Sequence, residues 1–268
     1  MKLTWFLVVG IVTAAELQTL RTSKDSKQLL DAAITVVNSR DSAAIAQLAD
    51  LLATREFIER LDDLTTPSRK TFHMSRLFGA MEKAPSRATE DLCLKLASAR
   101  AFVADPVRLN YLLPALGAVI PMSDASAALF RRTNAEGYVI VNAPVLAANG
   151  SPAALRVFEE MMRDPRFDVD ERIDAAHHSI VPNRTRLPLL RSIDRLLGQK
   201  IDPEVHAALL ESVFDYQPRA WFGVARNPPS PPAWESASPE TRKFVEELRQ
   251  RYNGRQTRPS NRGKQILH

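Results

Sequence analysis

The chain has 268 residues, of which 45% are hydrophobic and 25% charged, with 18 Pro against 9 Gly and one Cys. That content suits a packed soluble core and excludes collagen-like, low-complexity and disulfide-stapled classes. The formal net charge of +5 belongs to one end: from Leu248 to His268 six basic residues (Arg249, Arg251, Arg255, Arg258, Arg262, Lys264) meet no acidic one, and without them the rest stands near −1. A nearly neutral body with a basic tail argues against specific nucleic-acid recognition by a basic face.

The first residues read as an export signal. Lys2 supplies the positive start, Leu3 to Val12 the apolar run, and Thr13-Ala14-Ala15 the small residues a peptidase needs, so residues 1–15 are expected to be removed and the protein to be periplasmic or secreted. The run is short for a bilayer span. Ser26 to Val37 then carries Leu29, Leu30, Ala33, Ile34 and Val37 at the three-and-four spacing of an amphipathic helix. After a break at Asn38 to Asp41, Ala43 to Leu52 repeats the pattern, and so short a connection predicts an antiparallel hairpin.

Further helices are expected over Arg55 to Leu64, ended by Thr65-Thr66-Pro67, over Ser68 to Met81, and over Thr89 to Val103 without interruption. Cys93 falls on the apolar side of the last of these, which predicts a packed, inert thiol. Asp105-Pro106 starts the next helix, and Pro114 inside it should bend it or end it early. Ser123 is placed to cap Asp124 to Arg132. Tyr138 to Val141 would suit a strand or a buried helix, and with helices on both sides it reads as helix.

From Ser151 to Phe214 a helix pair is written twice. Ser151-Pro152 and Thr185 are placed as caps; Leu155, Phe158, Met161 and Met162 line up with Leu190, Ile193, Leu196 and Leu197, 35 residues on. In the partner helices, Asp170, Ile173, Ala175 and Ala176 line up with Asp202, Val205, Ala207 and Ala208, 32 residues on. A two-helix unit that cannot bury its apolar face alone must stack on its neighbours, which is the logic of an α-solenoid. Glu159 and Arg163 are spaced as a helix ion pair, and Gly198 marks a helix end.

Asp215 to Ala237 changes character. Tyr216, Trp221, Phe222 and Trp234 are interleaved with Pro228, Pro229, Pro231 and Pro232, which favours extended backbone docked as a cap on the last helix pair. A final helix runs from Ser238-Pro239 to Asn253-Gly254, and 255–268 is a basic disordered tail.

The stretch Asp202-Pro203-Glu204-Val205-His206-Ala207-Ala208-Leu209-Leu210 resembles the second helix of a HEAT repeat, with His206 where that family usually has arginine; Arg172 and Ala175 are similar to it one unit earlier, with Glu171 at its valine position. The resemblance implies an all-α solenoid over residues 22–214 with a concave binding surface, a fold that says little about activity.

Chemistry is sparse. No glycine-rich phosphate loop and no nucleophile elbow occurs. Asp170, Asp174, His177 and His178 form the best polar cluster, since helical spacing brings Asp174 and His178 to one face with Asp170 a turn earlier. His206 is a lone histidine on a helix flank. The expectation is a non-enzymatic exported scaffold binding a protein or peptide on its concave face, with no catalytic, cofactor-binding or metal residue assigned. Two alternatives are kept: a metal-dependent or hydrolytic enzyme centred on Asp170, Asp174 and His178, and binding of an anionic envelope component through the basic tail.

Overall fold

The computed structural model describes residues 14–62, 72–214 and 232–252, and among these all regular structure is helical and no strand occurs. Two compact units divide the chain, Met1–Phe130 and Arg131–His268.

The first unit contains α1 (14–22), α2 (Ser26–Ser39), α3 (Ser42–Leu52), α4 (Arg55–Asp62), α5 (Phe72–Lys83), α6 (Arg87–Leu96), α7 (Arg100–Val103) and α8 (Val107–Gly117); α9 (Asp124–Ala135) crosses the division. Side-chain caps start several of them. Asp25 accepts from the amides of Lys27 and Gln28, Asp41 from those of Ala43 and Ala44, and Ser86 and Thr89 form a reciprocal capping box. Ser123 Oγ accepts from Ser126 N at 3.1 Å, the cap its sequence position predicts. Residues 1–13 of the expected signal 1–15, the break at Thr65 to Pro67 and the start of the Ser68 helix lie outside the described residues.

Two expectations in this unit need correction. Thr89 to Val103 is not one helix: α6 stops at Leu96 and α7 begins at Arg100. The break turns Phe102 fully into the core, where its ring meets Phe78 edge-on at 5.7 Å; an unbroken helix would carry it off the Leu92–Leu96–Ala99 stripe. Of the two outcomes expected of Pro114, a bend or an early end, the early end does not occur, because α8 runs on to Gly117. The proline's missing amide costs one bond to the carbonyl of Asn110, a position on the solvent side. α2 packs on α5 and α5 on α8, while α3 packs on α6. Each stacked helix buries the same pattern: Met74, Leu77, Phe78 and Met81 in α5 recur as Leu109, Leu112, Leu113 and Leu116 in α8.

The second unit contains α10 (Val139–Asn149), α11 (Pro152–Arg163), α12 (Val169–Ile180), a 3₁₀ turn at Val181–Asn183, α13 (Leu187–Leu197), α14 (Pro203–Phe214), a 3₁₀ turn at Trp234–Ser236 and α15 (Pro239–Tyr252). Val139 to Val141 thus lies in a helix, in agreement with its sequence setting, with Tyr138 just before the first turn. Ser151 to Phe214 forms two successive helix pairs, α11/α12 and α13/α14. α13 ends where Gly198 marks it. The caps differ from expectation. Ser151 makes no capping bond; its hydroxyl is turned to Asn149 Oδ1, to which it donates at 2.6 Å, and Pro152 starts α11 without it. Thr185 is not a cap either: α13 begins two residues later, after Arg186, with Pro188 in its first turn. Asp168 caps α12 by accepting from Asp170 N, and Asp202 Oδ1 accepts from Glu204 N at 2.9 Å at the start of α14.

Packing runs between alternate helices, α10 on α12 and α12 on α14, with α11 on α13 and α13 on α15. The 35-residue correspondence of α11 and α13 holds in the core, since Leu155, Phe158, Met161 and Met162 are buried with Leu190, Ile193, Leu196 and Leu197. The 32-residue correspondence of α12 and α14 does not. Burial is conserved at a step of 33: Arg172, Ala175, Ala176, Ser179 and Ile180 are buried with Val205, Ala208, Leu209, Ser212 and Val213, and the same step backwards gives Val139, Asn142, Ala143, Leu146 and Ala147 of α10.

Most of the Pro-rich segment, residues 215–231, lies outside the described residues. Its described end is not extended throughout, since Trp234–Ser236 is a 3₁₀ turn. Arg184 holds it: Nε and Nη2 donate to Pro232 O at 3.0 and 2.9 Å, and the guanidinium stacks 4.8 Å from the Trp234 ring.

Candidate functional site

The repeat step places equivalent outward residues of α10, α12 and α14 in rows. Ile140, Ile173 and His206 share one position, Val141, Asp174 and Ala207 the next, and Val145, His178 and Glu211 a third, all half-buried. Pro144, His177 and Leu210 share a fourth, at which His177 alone is fully buried. The face is apolar on α10 and acidic on α12 and α14. These helices carry Asp170, Glu171, Asp174, Glu204 and Glu211, and their one basic residue besides histidine, Arg172, is buried and donates Nη1 to Met162 O at 3.3 Å.

The opposite layer of the same unit is built differently, because several of its charges bridge neighbouring helices. Glu159 Oε1 on α11 accepts from Ser192 Oγ at 2.7 Å and from Arg195 Nε at 3.1 Å on α13. Asp194, at the equivalent position of α13, accepts from Arg251 Nη1 at 2.7 and 2.8 Å and from Tyr252 Oη at 3.3 Å on α15. Arg191 pairs with Glu240 at 2.9 Å, and Arg131 on α9 with Glu160 at 2.6 Å. The ion pair expected within one helix is thereby corrected: the Glu159 carboxylate reaches across to α13, while Arg163 donates to the Glu159 backbone carbonyl and to Gln199.

The polar cluster sits on this face, but not as a ligand set. Asp170 is exposed and Asp174 half-buried, and His178 turns Nδ1 to the backbone carbonyl of Asp174 at 2.9 Å rather than to its carboxylate. Burial pushes Asp174 up to about 6; His178 opposes that rise and the neighbouring Asp170 and Glu171 add to it. Among the described residues no group of three His, Cys, Asp or Glu is arranged to hold a metal ion. His206 packs its ring against Tyr252, edge-on at 6.2 Å. Cys93 is fully buried, and burial, aided by Glu90, pushes its thiol far above the usual range, as expected of a packed cysteine.

Sequence reasoning missed a buried serine–histidine contact. His177 Nδ1 lies 2.9 Å from Ser212 Oγ and links α12 to α14. Ser212 spends its single hydroxyl hydrogen on Ala208 O at 2.6 Å, so the ring nitrogen donates and the serine accepts, the reverse of what activates a nucleophile. Also missed was Asp62 at the end of α4, fully buried with neither oxygen in a well-formed hydrogen bond and Arg108 Nη2 3.8 Å away. Burial pushes its carboxyl up to about 6 against the pull of Arg108 and His73. A carboxylate at an exposed-looking helix end gives no sequence signal of this kind.

No helix among the described residues is long and apolar enough to cross a membrane. Comparison with known protein families, with curated proteins and with solved structures found no match.

Proposed function

We propose that the chain is an exported, non-enzymatic scaffold of HEAT-like α-solenoid type that binds a protein or peptide segment along the face of α10, α12 and α14. The observation that carries this reading is the asymmetry of the second unit. One layer uses several of its charges in bridges that tie α11, α13 and α15 to their neighbours, while the other repeats a 33-residue register and presents apolar and acidic residues that form no such helix-to-helix bridges from Asp170, Glu171 or Asp174 among the described residues. Half-buried apolar rows flanked by charge are the anatomy of a protein-binding patch.

Photo-crosslinking tests the reading. A benzophenone side chain at Val145 or Leu210 should capture a discrete partner in the source cells, and one at Arg156 or Lys243 on the other layer should not. Capture confined to the other layer, or at neither, refutes it.

A further inference from the structure

The chain carries a segment whose chemistry matches this face. Residues 253–268 contain Arg255, Arg258, Arg262 and Lys264 and no acidic side chain. Against them stand the five carboxylates of α12 and α14, with no exposed lysine or arginine on α10, α12 or α14. The tail also leaves from the right place. α15 ends at Tyr252, and that ring rests on His206, one of the outward residues of α14.

Helix stability accounts for part of the acidity. Asp170 and Glu171 in the first turn of α12, and Glu204 in that of α14, complement the helix dipole. It does not account for Asp174, which lies mid-helix, half-buried, beside two further carboxylates and with no arginine or lysine among the groups that act on it. Such a residue weakens the isolated fold, and a cation brought to it from elsewhere would reverse the effect. We propose that the basic C-terminal tail, residues 253–268, docks on the acidic face of α12 and α14 and competes there with the partner segment. The inference rests on the proposed binding face and gives that partner its chemistry, a cationic segment with apolar residues for α10. Reach is not limiting: the twelve residues from Tyr252 to Lys264 extend up to about 40 Å, against about 10 Å between neighbouring helices. Tethering at roughly millimolar effective concentration keeps even weak contacts occupied.

Zero-length carbodiimide coupling of the dilute full-length protein tests this, because Lys264 is the one lysine of the tail. In the monomer Lys264 should couple to Asp170, Glu171, Asp174, Glu204 or Glu211. The yield should fall several-fold when salt is raised to about 0.5 M, and likewise in D170N/E171Q/D174N, whose circular dichroism should match the parent. A fluorescent peptide of residues 255–268 should bind a chain ending at Gly254 at least several-fold more tightly than the full chain. Coupling only to α15 carboxylates, coupling only between copies, no coupling, or equal peptide binding to both chains would overturn the proposal. Loss of tail coupling while Leu210 still captures a partner removes the tail alone; intact coupling without capture removes the binding-face reading.

Discussion

Asp62 offers the sharpest test of the first unit's packing. Its carboxyl is fully buried, poorly bonded and raised from 3.8 to about 6, so the folded chain holds that proton more tightly than the unfolded one. Below pH 3.8 both states are protonated and the group is neutral to stability; above pH 6 the folded state carries a poorly compensated charge, and stability is lost as pH rises through that window. A rise of that size corresponds to about 3 kcal/mol, an order-of-magnitude figure. The perturbation is Asp62→Asn, which keeps the shape and removes the titration. Urea unfolding of both proteins from pH 4 to pH 7.5 gives the stability difference at each pH, in which every other titrating group cancels. The variant should gain on the parent by roughly 2 kcal/mol across that range, whatever constant offset the weakened Arg108 contact adds. A difference that stays flat, or that moves in the parent's favour as pH rises, would show that Arg108 and His73 neutralise the carboxylate and would refute the reasoning.

Further outcomes follow from the second unit and the N-terminus. Glu159→Ala strands the buried Ser192 hydroxyl and cuts the bridge to Arg195, and should cost about 2–3 kcal/mol in urea unfolding, whereas Glu160→Ala, at an exposed pair with Arg131, should cost under about 1 kcal/mol. Phe158→Ala empties a fully buried ring site on α11 and should cost about 3–5 kcal/mol by thermal denaturation. Arg184→Ala frees Pro232 and Trp234, and hydrogen exchange at the amides of Ser236 and Ala237 should accelerate about tenfold or more. Intact-mass measurement of the protein from its source should show a mature chain beginning near Glu16, and retention of Met1 to Ala15 would remove the export proposal.

Much of the helical plan was legible because its signals are local. Aspartates before an apolar stripe start α2 and α3, and the Leu155–Leu190 correspondence survives because every core position in α11 and α13 that carries it is apolar. The errors have physical causes. The α12–α14 register slipped by one residue since Arg172 occupies a core position, and Ser179 and Ser212 hide in two more, each returning its hydroxyl to a carbonyl of its own helix. Hydropathy cannot see a polar group satisfied in that way. Ser151 looks like a cap in sequence, yet a caps-or-not outcome turns on one hydroxyl torsion, and Asn149 takes it. The break after Leu96 was invisible because Ala97 to Ala101 favours helix locally, and it is the burial of Phe102 that overrides it. The proposed binding face was not readable at all from one helix, since its rows form only when three stripes 33 residues apart are set side by side.

That stacking is the claim on which the rest depends. In a Cys93→Ser background, nitroxide labels at Val141 and Ala207, equivalent positions on α10 and α14, report it by double electron–electron resonance. With α12 lying between, the two sites should be about 20 Å apart, twice the usual interaxial spacing, in one narrow distribution. A mean beyond about 30 Å, or a broad spread, would contradict the repeat and the face built on it.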